Sequence, residues 1–153
     1  TFWRLLGNGS WECVERGDEV LPVDGDGADK SAVAPFRVIR DRDEYDLIGG
    51  GSRTDGIGGT YKELVAAIGE PSSRNHRGRD GFWDDPRKVD VVWGVKSGDG
   101  KEWVSIWNYK NGPAYNGGRA SMRDINYFSV DASNGEALLQ IIRDRIKEVR
   151  AAG

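Results

Sequence analysis

The chain has 153 residues, of which 37% are hydrophobic and 31% charged, with a net charge of −3. That length supports one domain with a real core, and the composition excludes a wholly disordered chain and a global electrostatic pull towards nucleic acid. A single cysteine, Cys13, excludes an intrachain disulfide, and no apolar run reaches the length of a bilayer span, so the expectation is a cytosolic protein with no membrane association.

Residues 1–35 read as an N-terminal β extension. Segments 3–6 and 11–14 flank Gly7-Asn8-Gly9-Ser10, the spacing of a β-hairpin. The acidic loop that follows has Asp24 and Asp26 at the first and third positions of a calcium-binding loop. Asp29 stands where that loop needs glycine and Pro35 where it needs glutamate, so the calcium reading is rejected. Residues 36–153 are expected to form a single α+β domain. It opens with a strand at 36–39, for which 45–48 is a candidate continuation. Residues 49–59 hold six glycines and fit either a flexible loop or a tight hairpin. Gly51 and Gly56 have P-loop spacing, but Ile57 takes the place of the lysine. Gly56-Ile57-Gly58 starts a dinucleotide fingerprint that Tyr61 ends without its last glycine.

A helix is predicted from Thr60, with Glu63 completing a capping box, Leu64, Val65 and Ile68 on one face, and Gly69 and Pro71 as stop signals. Residues 72–87 form a long polar connection. Strands follow at 89–96 and 102–110 around a Ser97-Gly98-Asp99-Gly100 turn. Val89, Val91, Trp93 and Val95 alternate on the first, and Trp93 is expected in the core. Trp103, Ser105, Trp107 and Tyr109 alternate with Val104, Ile106, Asn108 and Lys110 on the second; both faces carry apolar groups, so which one meets the helices stays open. A third strand is predicted at 125–130 and a final helix from Ser133, again with a glutamate, Glu136, three residues on. Leu139, Ile142, Ile146 and Val149 share its apolar face, and Arg143, Arg145, Lys147 and Arg150 suit its C-terminal dipole. The expected fold is helix, three-stranded antiparallel sheet, helix, with both helices on one face and the N-terminal β-hairpin as an extension.

No catalytic constellation is legible. One histidine and one cysteine cannot make a zinc site without several carboxylates, and nothing near His76 marks a nucleophile, so the chain is read as a non-enzyme with no cofactor. Three segments suggest binding instead. Gly58, Gly59, Thr60 and Lys62 open a helix whose free N–H groups suit an anion, with Arg53 in the preceding glycine loop. Arg74, His76, Arg77 and Arg79 could bind phosphate, although Asp80, Asp84 and Asp85 follow closely. Trp107, Asn108, Tyr109 and Lys110 would form an exposed aromatic platform with a polar end.

Ile48-Gly49-Gly50, residues 61–65, Gly69-Glu70-Pro71, Lys88-Val89-Asp90 with Trp93, and Asp99-Gly100 form the first part of a wider pattern. Ser105-Ile106-Trp107-Asn108-Tyr109-Lys110, Asp124-Ile125 and Phe128-Ser129-Val130 complete it. Over residues 46–142 the chain resembles a set of small bacteriophage accessory proteins that share a Gly-Glu-Pro helix end, a Trp strand, an Asp-Gly turn and a strand ending near Ile-Tyr-Asn-Tyr-Lys. It departs from them in its first 35 residues, a longer 72–87 loop, Asp131-Ala132 in place of Gly-Gly, and Trp103 in place of a smaller residue. The resemblance implies a phage protein acting in the host cytoplasm. Joined to the binding segments, it leads to the expectation of a non-catalytic counter-defence protein, with a homo-oligomer among its expected assemblies. Such a protein would sequester a small anionic ligand such as a cyclic nucleotide or ADP-ribose derivative. Masking of a host protein through the aromatic face is the alternative. Nucleic-acid binding is a further one: the element order is similar to a double-stranded-RNA-binding domain, but Asn134-Gly135-Glu136 replaces that domain's Lys-Lys and the net charge is negative.

Overall fold

The computed structural model describes residues 2–5, 11–14, 35–48, 51–76, 80–133 and 136–152. β1 (Phe2–Leu5) and β2 (Trp11–Val14) pair antiparallel, with Phe2 opposite Val14 and Leu5 opposite Trp11, as the opening hairpin pattern predicts.

The main sheet is antiparallel and has six strands rather than three. Its centre is the expected trio: β6 (Val91–Ser97), β7 (Trp103–Trp107) and β8 (Tyr127–Ala132). β3 (Phe36–Val38) and the two-residue β5 (Ser73–Arg74) both pair with β6, at its opposite ends. β4 (Ser52–Gly58) pairs with β8 and makes the other edge, giving the order β3-β6-β7-β8-β4. Within the glycine-rich segment, Ser52–Gly58 is thus an edge strand rather than a loop or a hairpin. Thr54 faces Val130 and Ile57 faces Phe128, so three steps on β4 span two on β8, which is a bulge at Asp55-Gly56. Glycine is required there, because a Cβ on Gly56 would collide with the Tyr127 ring and the Phe128 carbonyl.

Among the described residues there are four α-helices: α1 (Arg42–Leu47), α2 (Tyr61–Ile68), α3 (Pro113–Asn116) and α4 (Ala137–Ala152). α1 replaces the strand continuation expected at 45–48. Asp41 caps it by accepting from the Asp43 N–H at 3.0 Å, and Asp43 and Glu44 sit in its first turn, where the helix dipole favours acids. α2 has its predicted capping box: Glu63 N–H donates to Thr60 Oγ1 at 3.1 Å and Thr60 N–H to Glu63 Oε1 at 2.9 Å. Gly69, at φ 113°, ends the helix. α4 begins later than predicted. The Ser133 hydroxyl instead accepts from the Trp103 N–H at 2.9 Å, and Glu102 Oε1, just before β7, accepts from the Leu138 N–H at 3.3 Å in the first turn of α4.

α2 and α4 lie together on one face of the sheet. Leu64, Ala67 and Ile68 from α2 and Leu138, Leu139, Ile142 and Ile146 from α4 form one cluster with the inward residues of the strands. Trp93 is fully buried at its centre, edge-on to Phe128 at 5.5 Å, and donates Nε1–H to the Gly69 carbonyl at 2.8 Å. Val104 and Ile106 face this core, so Trp103, Ser105 and Trp107 point to the other side. There α1 and the 80–86 loop build a smaller cover. Phe82, Val89 and Val92 form its centre, with Tyr45 and Trp107 packed against them. The Tyr45 ring lies on Gly94, its hydroxyl shares a 2.9 Å hydrogen bond with Ser105, and the Trp83 ring stands 5.2 Å away.

Candidate functional site

Of the thirteen residues suggested by the sequence, Arg77 and Arg79 lie outside the described residues. The other eleven occupy four separate places.

The helix start at Gly58, Gly59, Thr60 and Lys62 differs from expectation. The Gly59 N–H donates to the Asn126 carbonyl at 3.0 Å, and the Thr60 N–H is taken by Glu63. Arg150 of α4 closes the arrangement, donating Nε–H to Glu63 Oε2 at 3.1 Å and a terminal N–H to the Gly58 carbonyl. The Thr60 N–H, with Arg150 behind it, holds the Glu63 carboxyl below the usual range. The helix already carries its own carboxylate, so the Gly59 and Thr60 donors are not open to an external anion.

At the second place, Arg74 on β5 is ion-paired with Glu70 and stands 5.9 Å from the Tyr61 ring; His76 is exposed just beyond the strand. Arg40 donates to the Pro71 carbonyl at 2.9 Å, and burial together with the Arg74 charge depresses its pKa.

The third place divides the predicted platform. Asn108 is wholly buried, which corrects its assignment to a surface. Its Oδ1 accepts from the Asp90 and Val91 N–H groups at 2.8 and 3.1 Å, and its Nδ2 donates to Asp90 Oδ2 at 2.8 Å. The side chain therefore completes the start of β6 in place of a strand neighbour. Tyr109 and Lys110 do reach solvent. Lys110 adopts φ 59°, and its ammonium lies 5.2 Å from the Tyr109 ring and 5.3 Å from that of Tyr115.

At the fourth place, two residues far apart in sequence meet. The Arg53 guanidinium, on β4, stands 5.1 Å from the Trp107 ring on β7, within cation–π range. Its Nε–H donates to Asp131 Oδ1 at 2.9 Å across the β4–β8 pair. Trp107 is only partly exposed, so the aromatic face is a half-covered wall rather than an open platform.

Arg53 also lines a groove of about 610 Å³ between β4 and the first turns of α4. Thr54, Ser133, Gln140 and Arg143 contribute hydroxyl, amide and guanidinium groups, while Asp55 and Glu136 carry negative charge. Arg143 is fixed in place, donating to the Asp55 and Gly56 carbonyls at 2.8 and 3.2 Å. The sequence signal for Arg143 was absorbed by its place among the cations of the last helix. The Arg53 guanidinium itself, held on Trp107 and Asp131, lies on the sheet face away from α4, so the groove is lined by one guanidinium, that of Arg143, and by the carboxylates of Asp55 and Glu136. The volume lies within the range of small-molecule pockets, about 300–1,000 Å³.

Among the described residues no group of three or more His, Cys, Asp or Glu is placed to hold a metal ion. None of the described helices is long and apolar enough to cross a membrane. Comparison of the sequence with protein-family models and with curated proteins gives no match.

Proposed function

We propose that this protein binds, without altering, a small nucleotide-derived anion at the edge of the sheet where Arg53 of β4 lies over Trp107 of β7. The observation that carries this reading is the Arg53 guanidinium 5.1 Å from the Trp107 ring, on a largely exposed side chain. A guanidinium braced on an indole is partly preorganised, so less side-chain entropy is lost when it meets a phosphate. The exposed part of the indole offers a base a stacking surface while the phosphate meets the guanidinium. The resemblance to small phage proteins supports placing this binding in counter-defence, as sequestration of a host signal in the host cytoplasm.

Calorimetric titration with a panel of cyclic nucleotides and ADP-ribose tests the reading, with mass spectrometry of the recovered ligand. Saturable binding is expected with the ligand unchanged, and Arg53→Gln weakens it about tenfold or more, the loss of one charge-assisted contact. Equal affinity in the variant removes the Arg53–Trp107 site from consideration, and a chemically altered ligand makes the protein an enzyme.

A second reading, masking of a host protein, draws on a different observation: Tyr109 and Tyr115, each about half exposed, both stand within about 5.3 Å of the Lys110 ammonium. Exposed tyrosines of this kind are enriched at protein interfaces. A partner captured by the protein and lost in Tyr109→Ala and Tyr115→Ala, with no small ligand bound, would favour it over the Arg53–Trp107 site.

A further inference from the structure

A second large cleft, about 690 Å³, lies where β6 begins, between Asn75 and residues 86–90 on one side and the α3–Met122 segment on the other. Its lining includes Asp90, Arg87, Pro86, Pro113, Ala120 and Met122. Asp90 is only 6% exposed. Its Oδ1 accepts from the Ala114 N–H at 2.9 Å, which caps α3 from a distant strand, and its Oδ2 accepts from Asn108 Nδ2 at 2.8 Å. Both donors are neutral amides. Among the described residues no cation is ion-paired with Asp90, and the one cation on the cleft wall, Arg87, turns to Asp85 with its side chain 85% exposed.

A buried carboxylate that lacks a counter-charge is costly, and burial pushes the Asp90 carboxyl pKa up, against the pull of its two amide hydrogen bonds. The surroundings nonetheless make room for it. A Cβ on Gly112 would collide with Asp90 Oδ2, and Asn75 braces the wall by donating to the Pro86 and Val89 carbonyls at 2.7 and 3.0 Å. A carboxylate can accept about four hydrogen bonds, and the protein supplies two, so acceptor capacity remains. The walls beside it are the apolar surfaces of Pro86, Pro113, Ala120 and Met122.

We propose that this cleft binds an organic cation, an ammonium or guanidinium group on a short apolar stem, with the head on Asp90 and the stem against Pro86, Pro113 and Met122. The ligand supplies the missing counter-charge, and the apolar walls take up the stem. This site is separate from the one proposed where Arg53 meets Trp107 and has the opposite charge preference.

Agmatine and n-butylamine serve as probes, with n-butanol as the uncharged control, followed by NMR of the full chain. Both amines should saturably shift the Ala114 amide and Asn108 side-chain resonances and lower the midpoint at which the Asp90 carboxyl titrates; n-butanol should do neither. Asp90→Asn should abolish these shifts, but it also disturbs the cap on α3. Ala120→Phe fills the cleft without touching the Asp90 hydrogen bonds, and should weaken amine binding about tenfold with the amide spectrum otherwise preserved. No saturable shift at millimolar amine, equal response to n-butanol, or unchanged affinity in Ala120→Phe would each overturn the assignment.

Discussion

On the face covered by α2 and α4, the strands present Val91, Trp93, Val95, Val104, Ile106, Phe128 and Val130, all but closed to solvent. On the other face the same strands present Val92, Gly94, Lys96, Ser105, Trp107 and Asp131, and the cover is tied down by polar contacts. Tyr45 bonds Ser105, and Glu44 takes both Arg37 and Lys96, which stand directly opposite each other on β3 and β6. One face is assembled by area removed from water, the other by a few directed bonds over a thin apolar patch. The difference explains why the groups available for binding lie beside the second face: Arg53 and Trp107 meet where its cover stops.

Substitutions should break that contrast in a definite order. Trp93→Ala removes the centre of the helix-side core and the bond to Gly69, and should cost about 3–5 kcal/mol in urea unfolding. Asn108→Ala, at the seam between the faces, strands two N–H groups and a carboxyl oxygen and should cost about 3 kcal/mol. Gly94→Ala drives a methyl group into the Tyr45 ring and should cost about 2 kcal/mol, most of it as loosening of α1 seen by hydrogen exchange at residues 42–47.

A pH series sharpens the comparison further. Glu44, hydrogen-bonded first to Arg37 and then to Lys96, has its pKa lowered from 4.5 to about 2. Its contribution is fully present above the unfolded value and is lost as the pH falls through that interval, so Glu44→Gln should flatten this part of the acid limb. Asp90 acts in the reverse sense. Its raised pKa makes the protonated folded form favoured, so its contribution declines as the pH rises above the ordinary aspartate range. The smallest effect is expected at Arg53→Gln. That ion pair is largely exposed and its loss should change stability by less than about 0.5 kcal/mol, leaving ligand affinity as the only sensitive readout.

The central strands and α2 were legible because their signals are local: alternation on β6 and β7, the Thr60–Glu63 box, and the Gly69-Glu70-Pro71 stop; which face of the strands the helices cover was not, since both faces carry apolar groups. β4 was not. Ser52-Arg53-Thr54-Asp55-Gly56 has no apolar alternation, and it is a strand only because β8 offers a partner and the bulge absorbs the extra residue. α1 is a six-residue helix whose tyrosine and leucine suggested a strand; its order comes from bonds to β3, β6 and β7. At the candidate site, Arg53 and Trp107 were both named from sequence, but their meeting depends on the β4–β8–β7 register, which no local pattern encodes. Asn108 was misplaced for a related reason, since its burial is imposed by Asp90 and Gly112, which close over it from other segments.

The outer edge of β4 has a consequence for how copies of the chain behave in a crowded solution. Unsatisfied carbonyls along an edge strand are a template on which another extended chain can grow. Here Arg143 occupies the Asp55 and Gly56 carbonyls and Arg150 that of Gly58, both delivered by the last helix. An incoming strand would have to evict two guanidinium groups, and loosen the helix that carries them, before it could register against this sheet. The final helix therefore doubles as a guard against fibre growth, and charge-removing changes at Arg143 and Arg150 should appear as aggregation before they appear as unfolding.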